Sequence, residues 1–299
     1  MKRSDRRSAT RLTAGLDIGD HLITGRNGAI PVRRYRRAGA EPVATLVWVH
    51  GGAFAFGGLD QLESHAVGAA LGQRGIEVVA VDYRRVPPWN WFRDPPAGRL
   101  AGTRYPVPLH DVLDVFEVTR HEQAHAVLGG ASAGACLSAA AALALAQQGT
   151  AAPPLVLAYG TYHASLPEIA PEMRARVRGL RGLTQFRPQT VHRMNRNYAG
   201  SEQAMREATA FPGGHDLRAI TDVLMIDAGR DTLRASGEAF RRELHSAGTR
   251  LDYHVVAEAA HGFLDRPSTT PFRRGIDAIA TWLSAKRRTD GTEGRTTPR

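Results

Sequence analysis

Between Ala126 and Ala146 the chain reads AVLGGASAGACLSAAAALALA, a short apolar run, a turn of small residues and a long alanine-rich segment. A buried strand must give way to a helix within this stretch, and the reversal falls on Gly130-Ala131-Ser132-Ala133-Gly134. That pattern is G-x-S-x-G, in which a strained strand-to-helix turn exposes one serine and small flanking residues keep neighbouring backbones from clashing. The serine also stands at the positive end of the helix that follows, where developing negative charge is favoured. Alone, the pentapeptide is a weak signal in a chain with 31 glycines,. Its setting gives it weight.

The rest of the chain continues the alternation. A loose helix over residues 1 to 20 precedes two strands, His21 to Thr24 and Ala29 to Arg37, which turn at Asn27-Gly28 as an edge hairpin,. Unbroken apolar runs at Ala44 to Val49, Glu77 to Tyr83, Pro154 to Tyr159 and Asp222 to Ala228 read as strands covered on both faces, with a further strand at Asp252 to Glu258,. Helices are expected at Asp60 to Gln73, Leu109 to His121, Arg234 to Ser246 and Thr270 to Ala285. The fold class is therefore α/β, a mainly parallel central sheet with helices on both faces, in one domain over residues 1 to 299,. Residues 161 to 215 are too long for a simple connection and read as a helical cap inserted over the sheet,. Residues 289 to 299 read as a disordered tail,.

Charge and cysteine content exclude several functions. The net charge of +10 comes from 37 arginines against two lysines, Lys2 and Lys286, and part of it lies in the terminal segments, so a nucleic-acid surface is not expected,. Seven arginines and no acid between Arg174 and Arg196 form either a solvated basic face or a patch that steers an anionic substrate,. The lone Cys136 forms no internal disulfide and reads as a buried thiol,. No apolar run is long enough to span a bilayer and no signal peptide is read, so a cytoplasmic protein without membrane partners is expected,.

A serine hydroxyl near neutral pH needs a base and an acid that orients the base. Asp231 follows the strand VLMIDAG, and His261 follows the strand DYHVVAE, so both emerge at the carboxyl edge of the sheet, where Ser132 emerges,. The chain order Ser, Asp, His is that of this architecture. Among rival acids, Asp227 lies inside its strand, and Glu258 is three residues from His261. Donors for an oxyanion are expected from the N–H groups of Gly51, Gly52 and Ala133,.

These residues resemble the hormone-sensitive-lipase-like (bacterial family IV) α/β-hydrolase esterases. The resemblance is carried by HGGAF at His50 to Phe54, DYR at Asp82 to Arg84 with Pro87, YPVP at Tyr105 to Pro108, GASAG at Gly130 to Gly134, GRDTLR at Gly229 to Arg234 and AHGF at Ala260 to Phe263, in the family's order. It implies a cofactor-free carboxylesterase acting on short or medium acyl esters of small molecules, with a cap built from about residues 1 to 20 and 161 to 215. Phe54, Tyr83, Trp89, Trp91 and Phe263 are candidates for the substrate pocket. Whether the chain forms a homodimer stays open. Three departures stand out: Ala53 in place of the last glycine of HGGG, Ala131 and Ala135 in place of an acid and a glycine of GDSAGG, and an inserted segment from Trp89 to Arg104. Any support that the missing acid gives the loops must come from elsewhere. The aromatic start of the insertion, Trp89, Trp91 and Phe92, either lines the pocket or plugs a gap.

His121-Glu122-Gln123-Ala124-His125 matches H-E-x-x-H, but His125 runs straight into the strand before the elbow, and a helix carrying both histidines would end too early for zinc,. No metal is expected. Amide or formamide hydrolysis and acyl transfer would use the same residues as ester cleavage. A catalytically lapsed fold that binds a small ligand is the alternative from another class.

Overall fold

The computed structural model describes residues 3 to 90, 93 to 177 and 186 to 293. The strands are β1 (Leu16–Gly25), β2 (Gly28–Arg37), β3 (Ala44–Val49), β4 (Ile76–Val81), β5 (Val127–Ala131), β6 (Leu155–Ala158), β7 (Asp222–Arg230) and β8 (Arg250–Ala260). They make one sheet in the order β1-β2-β4-β3-β5-β6-β7-β8. The first two pairings are antiparallel and all later ones parallel. Around it lie α1 (Arg3–Leu12), α2 (Leu62–Gly72), α3 (Val107–Glu122), α4 (Ala133–Gln147), α5 (Pro171–Arg176), α6 (Pro188–Ala199), α7 (Arg234–Ser246) and α8 (Thr270–Glu293).

Side chains alternate across each strand, so the apolar strands feed two cores. Val47, Val49, Leu128, Leu157 and Met225 pack with Val112, Leu137 and Phe240 of α3, α4 and α7. Leu46, Trp48, Val127, Val156 and Ile226 face the other way, onto Val67 of α2 and Ile276 and Leu283 of α8. Each such side chain, removed from water, contributes roughly 1.5 to 3 kcal/mol. The strands buried on both faces are the ones whose sequence shows no polar alternation.

The hairpin is longer than its periodicity suggests. Leu16 pairs with Arg37 and Gly25 with Gly28, which zips ten residues of each strand together across the Arg26-Asn27 turn. Gly28, at φ 106°, takes the left-handed conformation that closes this turn,. Residues 16 to 20, expected within the amino-terminal cap piece, therefore belong to β1, and α1 rests on α2. At the other end α8 continues to Glu293, past the expected stop at Ala285, because no proline interrupts the run before Pro298,. The expected disordered tail from 289 is thus helical to 293, and its last six residues lie outside the described ones. Among the described residues no helix is long and apolar enough to cross a membrane.

The hairpin arginines answer acids nearby. Arg33 binds Asp20 and Asp60, Arg34 reaches Glu77 and Glu122, and Arg26 meets Asp114. The positive charge of these three arginines is in this way met locally.

The elbow is set by close backbone approach. A Cβ on Gly130 would lie 2.5 Å from the carbonyl carbon of Gly134 and 2.6 Å from the carbonyl oxygen of Val49, and one on Gly134 would fall inside that same oxygen. Two glycines are needed because α4 starts directly against the end of β3. Gly134→Ala is expected to destabilise the fold by about 2 to 3 kcal/mol through overpacking against backbone that cannot retreat. Urea denaturation measures this, and an unchanged midpoint would show that the elbow can open.

Candidate active site

Ser132 leaves β5 at φ 53°, a left-handed value for a residue with a side chain, and its amide donates to the carbonyl of Ala158 at 2.9 Å. The turn aims Oγ at His261 Nε2, 3.0 Å away. His261 Nδ1 lies 2.6 Å from Asp231 Oδ2, and the other carboxylate oxygen of Asp231 accepts the Leu233 amide at 2.9 Å. Asp231 is fully buried at the end of β7, and His261 follows β8, so the three side chains converge from three strand ends. Burial is the largest single influence on His261 and opposes the imidazolium. The charge and hydrogen bond of Asp231, with Glu63 and Asp227 behind them, outweigh it and hold the ring above its ordinary 6.5.

The rival acids are engaged elsewhere. Asp227 is fully buried and pushed up to about 7, chiefly by burial, and accepts the Tyr253 hydroxyl at 3.0 Å. Glu258 pairs with Arg274 at 2.7 Å.

Three expected oxyanion donors separate into two kinds. No acceptor among the described residues takes the amides of Gly52 and Ala133. The Gly51 amide, by contrast, donates to Glu63 Oε2 at 2.6 Å and is not available to a substrate, which corrects the expectation for that residue. Ala53 is also without an acceptor among the described residues and takes its place beside Gly52. Its φ of 53° keeps the turn that a glycine would make, so replacement of the family's last glycine alters strain more than path,.

The aromatic candidates are placed differently from expectation. Phe54 is fully buried, stacked on Tyr198 at 3.9 Å and edge-on to Phe211. Tyr83 stacks on His50 at 4.5 Å and donates to its carbonyl, and Phe263 packs edge-on against Tyr159. With 0, 1 and 3% of their surface exposed, these three support the site from behind and offer no open wall. Their bulk is consumed by ring packing. Trp89 lies against Phe56 at 5.8 Å, whereas Trp91 and Phe92 lie outside the described residues.

Sequence reasoning missed two neighbours of His261. Phe186, from the segment between β6 and β7, stands edge-on to the imidazole at 4.9 Å, and its carbonyl accepts the Thr232 hydroxyl at 2.9 Å. Tyr159, at φ 36°, stands edge-on from below at 5.1 Å. Glu63 was missed as well, because no spacing rule ties residue 63 to residue 51. The one available signal was the single acid in the first turn of a helix that is apolar from Ala66 on.

The insertion is stitched to α6. Arg104 donates to the backbone and side-chain oxygens of Asn197 at 2.7 and 2.6 Å, Asn197 donates to Pro87 O at 2.9 Å, and Leu100 N donates to Gly200 O at 2.8 Å. Two arginines of the basic segment are used structurally, Arg193 on Asp94 and Arg196 on Glu202. Cys136 is buried beside Ala210 O, and burial pushes its thiol up, away from the reactive thiolate,. His121 and Glu122 end α3 while His125 lies beyond it, so the H-E-x-x-H residues share no helix face. No group of three or more His, Cys, Asp or Glu among the described residues could hold a metal.

Comparisons with known proteins place the chain among ester hydrolases. The chain is 28% identical over 275 residues to the carboxylic ester hydrolase LipN of Mycobacterium tuberculosis, covering 84% of this chain and 65% of that protein. It is 28% identical over 261 residues to an ethyl acetate hydrolase of Pseudomonas putida, covering 83 and 76%. In structure it is similar to an esterase of Pyrobaculum calidifontis, with TM-score 0.78 at 23% identity over 95% of this chain and 91% of that one. It is likewise similar to brefeldin A esterase, described as a bacterial homologue of human hormone-sensitive lipase, with TM-score 0.74 at 21% identity over 92 and 78%. The model of the alpha/beta hydrolase fold matches residues 46 to 265, the span that holds all three converging side chains, and the chain belongs to that family.

Proposed function

We propose that this chain is a serine carboxylesterase of the hormone-sensitive-lipase-like kind, with Ser132 as nucleophile, His261 as general base and Asp231 as its orienting acid. One observation carries the reading: an unbroken run of hydrogen bonds from Asp231 through His261 to Ser132, at 2.6 and 3.0 Å, beside amides that have no acceptor among the described residues. In the reaction Oγ attacks the ester carbonyl carbon while its proton passes to His261 Nε2. Asp231 accepts from Nδ1–H and stabilises the imidazolium that forms. The amides of Gly52, Ala53 and Ala133 receive the developing oxyanion. Collapse of the tetrahedral species expels the alcohol, which takes the proton from Nε2. Water then repeats the sequence on the acyl-enzyme and restores Ser132.

The substitutions Ala53, Ala131 and Ala135 motivate a lapsed, ligand-binding alternative, yet the methyl groups of Ala131 and Ala135 are fully buried and none of the three residues interrupts the hydrogen-bond run. Amide hydrolysis and acyl transfer share every step up to the leaving group. The segment between β6 and β7 serves as a cap: Phe186 reaches His261 from it, and α6 is bound to the insertion. This crowding, with the Pseudomonas relative's being an ethyl acetate hydrolase, supports short acyl groups.

Three outcomes follow from this chemistry. A fluorophosphonate probe should label the wild-type protein and leave Ser132→Ala unlabelled; an unlabelled wild type would favour the lapsed fold. With p-nitrophenyl esters, acetate and butyrate should give higher kcat/KM than chains of about 12 carbons, because a cavity that buries the ligand limits its size. A maximum at long chains would contradict the crowded cap. The pH profile tests the base. Since His261 must be neutral to act and is held above 6.5, kcat/KM should rise along an acid limb centred above that value,. Asp231→Asn should move the limb to lower pH and cut kcat by about 10⁴. The stability sign is opposite: protonated His261 on Asp231 stabilises the fold fully below its unfolded value, and this is lost as pH rises through the folded one,.

A further inference from the structure

Glu63 lies on α2, far along the chain from Ser132, Asp231 and His261, and only 3% of its surface is exposed. Its carboxylate has both oxygens engaged. Oε2 accepts the Gly51 amide at 2.6 Å and, more weakly, Gln61 Nε2 at 3.4 Å, and Oε1 accepts the Tyr159 hydroxyl at 2.6 Å. Its main chain is held equally. The Glu63 carbonyl accepts Trp48 Nε1 at 2.9 Å, and its amide donates to Asp265 Oδ1 at 3.0 Å, just past the histidine loop.

This one residue therefore touches each piece that meets at the reacting centre. Gly51 begins the turn that carries the Gly52 and Ala53 amides. Tyr159 presses edge-on against His261, and Asp265 anchors the loop that bears that histidine. The space is tight: a Cβ on Gly51 would lie 2.5 Å from Glu63 Oε2 and 2.9 Å from the Cβ of Ser132. At the elbow itself the residue before the nucleophile is Ala131, which has no polar atom with which to brace this turn.

We infer that Glu63 is the positioning residue of the oxyanion site: its carboxylate fixes the Gly51 amide so that the next two amides face the substrate, the support that an acid at 131 does not supply here. The argument rests on the serine-esterase reading above. A buried charge-assisted bond is short, directional and costly to break, so it suits a loop that must not yield when charge develops. Glu63 also adds negative charge near His261, which Asp231 and Asp227 face from β7 and its following loop and Tyr159 from β6; around Glu63 itself stand Asp265, Tyr159 and Tyr83.

The test compares wild type, Glu63→Gln and Glu63→Ala on p-nitrophenyl acetate, with fluorophosphonate labelling and thermal unfolding alongside. Glu63→Gln keeps the length but loses the charge. It should leave KM within about 3-fold, lower kcat by about 10-fold and move the acid limb to lower pH; Glu63→Ala should lower kcat by about 10². A residue that merely packs would shift the unfolding temperature and leave the limb where it was. Should Glu63→Gln not fold, Tyr159→Phe removes only the bond to Oε1, and a severalfold fall in kcat at constant KM is then the expected result. The inference is overturned if folded Glu63→Gln, or Tyr159→Phe in its stead, retains kcat within 2-fold and the same limb while the wild type is labelled and turns over ester. An unlabelled, inactive wild type would instead defeat the serine-esterase reading and this role with it.

Discussion

Among the described residues, left-handed backbone at residues other than glycine gathers in one place. The four non-glycine residues with positive φ among those described are Ala53, Phe54, Ser132 and Tyr159, and all of them border the proposed reacting centre. Each such residue costs on the order of 1 to 3 kcal/mol and persists only where its surroundings over-determine it. The surroundings are visible. The amide of Ser132 is held by Ala158 from the neighbouring strand, and glycines on either side let α4 close against the end of β3. Phe54 is clamped between Tyr198 and Phe211, and Tyr159 is held by its own amide on Ile226 and its hydroxyl on Glu63. The sheet and its two cores provide the free energy that keeps these four turns from relaxing.

That arrangement explains why alanine at position 53 is compatible with the loop path that the proposed site needs. Ala53 holds a left-handed turn at some cost, but the turn is locked downstream: the amides of Ala55 and Phe56 both donate to Gly52 O, at 3.1 and 2.8 Å. The path of the loop is fixed by these bonds and by Glu63, so the methyl of Ala53 changes the strain stored there and leaves the direction of its amide intact. The proposed oxyanion site depends on where amides point, which is a property of the bonds around them.

The central sheet was legible because its strands carry unbroken apolar runs, and the elbow because strand, small-residue turn and alanine-rich helix are contiguous. Asp231 and His261 were legible because each follows such a run directly. What escaped was non-local. Glu63 meets Gly51 across eleven intervening residues and a turn, Phe186 reaches His261 from a segment with no periodic pattern, and the consumption of the Gly51 amide is invisible without its acceptor. The aromatic candidates erred for a related reason. Proximity to the motif was read correctly for Phe54, Tyr83 and Phe263, but a sequence does not say whether a ring faces the cavity or the core behind it. The extent of β1 was underestimated because Leu16 to Asp20 alternates too weakly to announce a strand, and its ten pairs with β2 decide the matter instead.

Two carboxyl groups at the end of one strand also show how environment divides labour. Asp227 and Asp231 are four residues apart and both fully buried, and the charge of Asp231 adds to the burial that raises Asp227. Asp231 is met by two nitrogen partners, the Leu233 amide on one oxygen and His261 Nδ1 on the other. Asp227 is met by one phenol, and no partner is seen for its other oxygen, so burial dominates and pushes its pKa up to about 7. Near neutral pH the inner group is thus poised to carry a proton while the outer one accepts from the imidazole. Asp227, deeper in the strand, is among the smaller influences that hold the imidazole up, whereas Asp231 meets the ring directly and supplies the larger part through its charge and its hydrogen bond, which is the division that the proposed triad needs,.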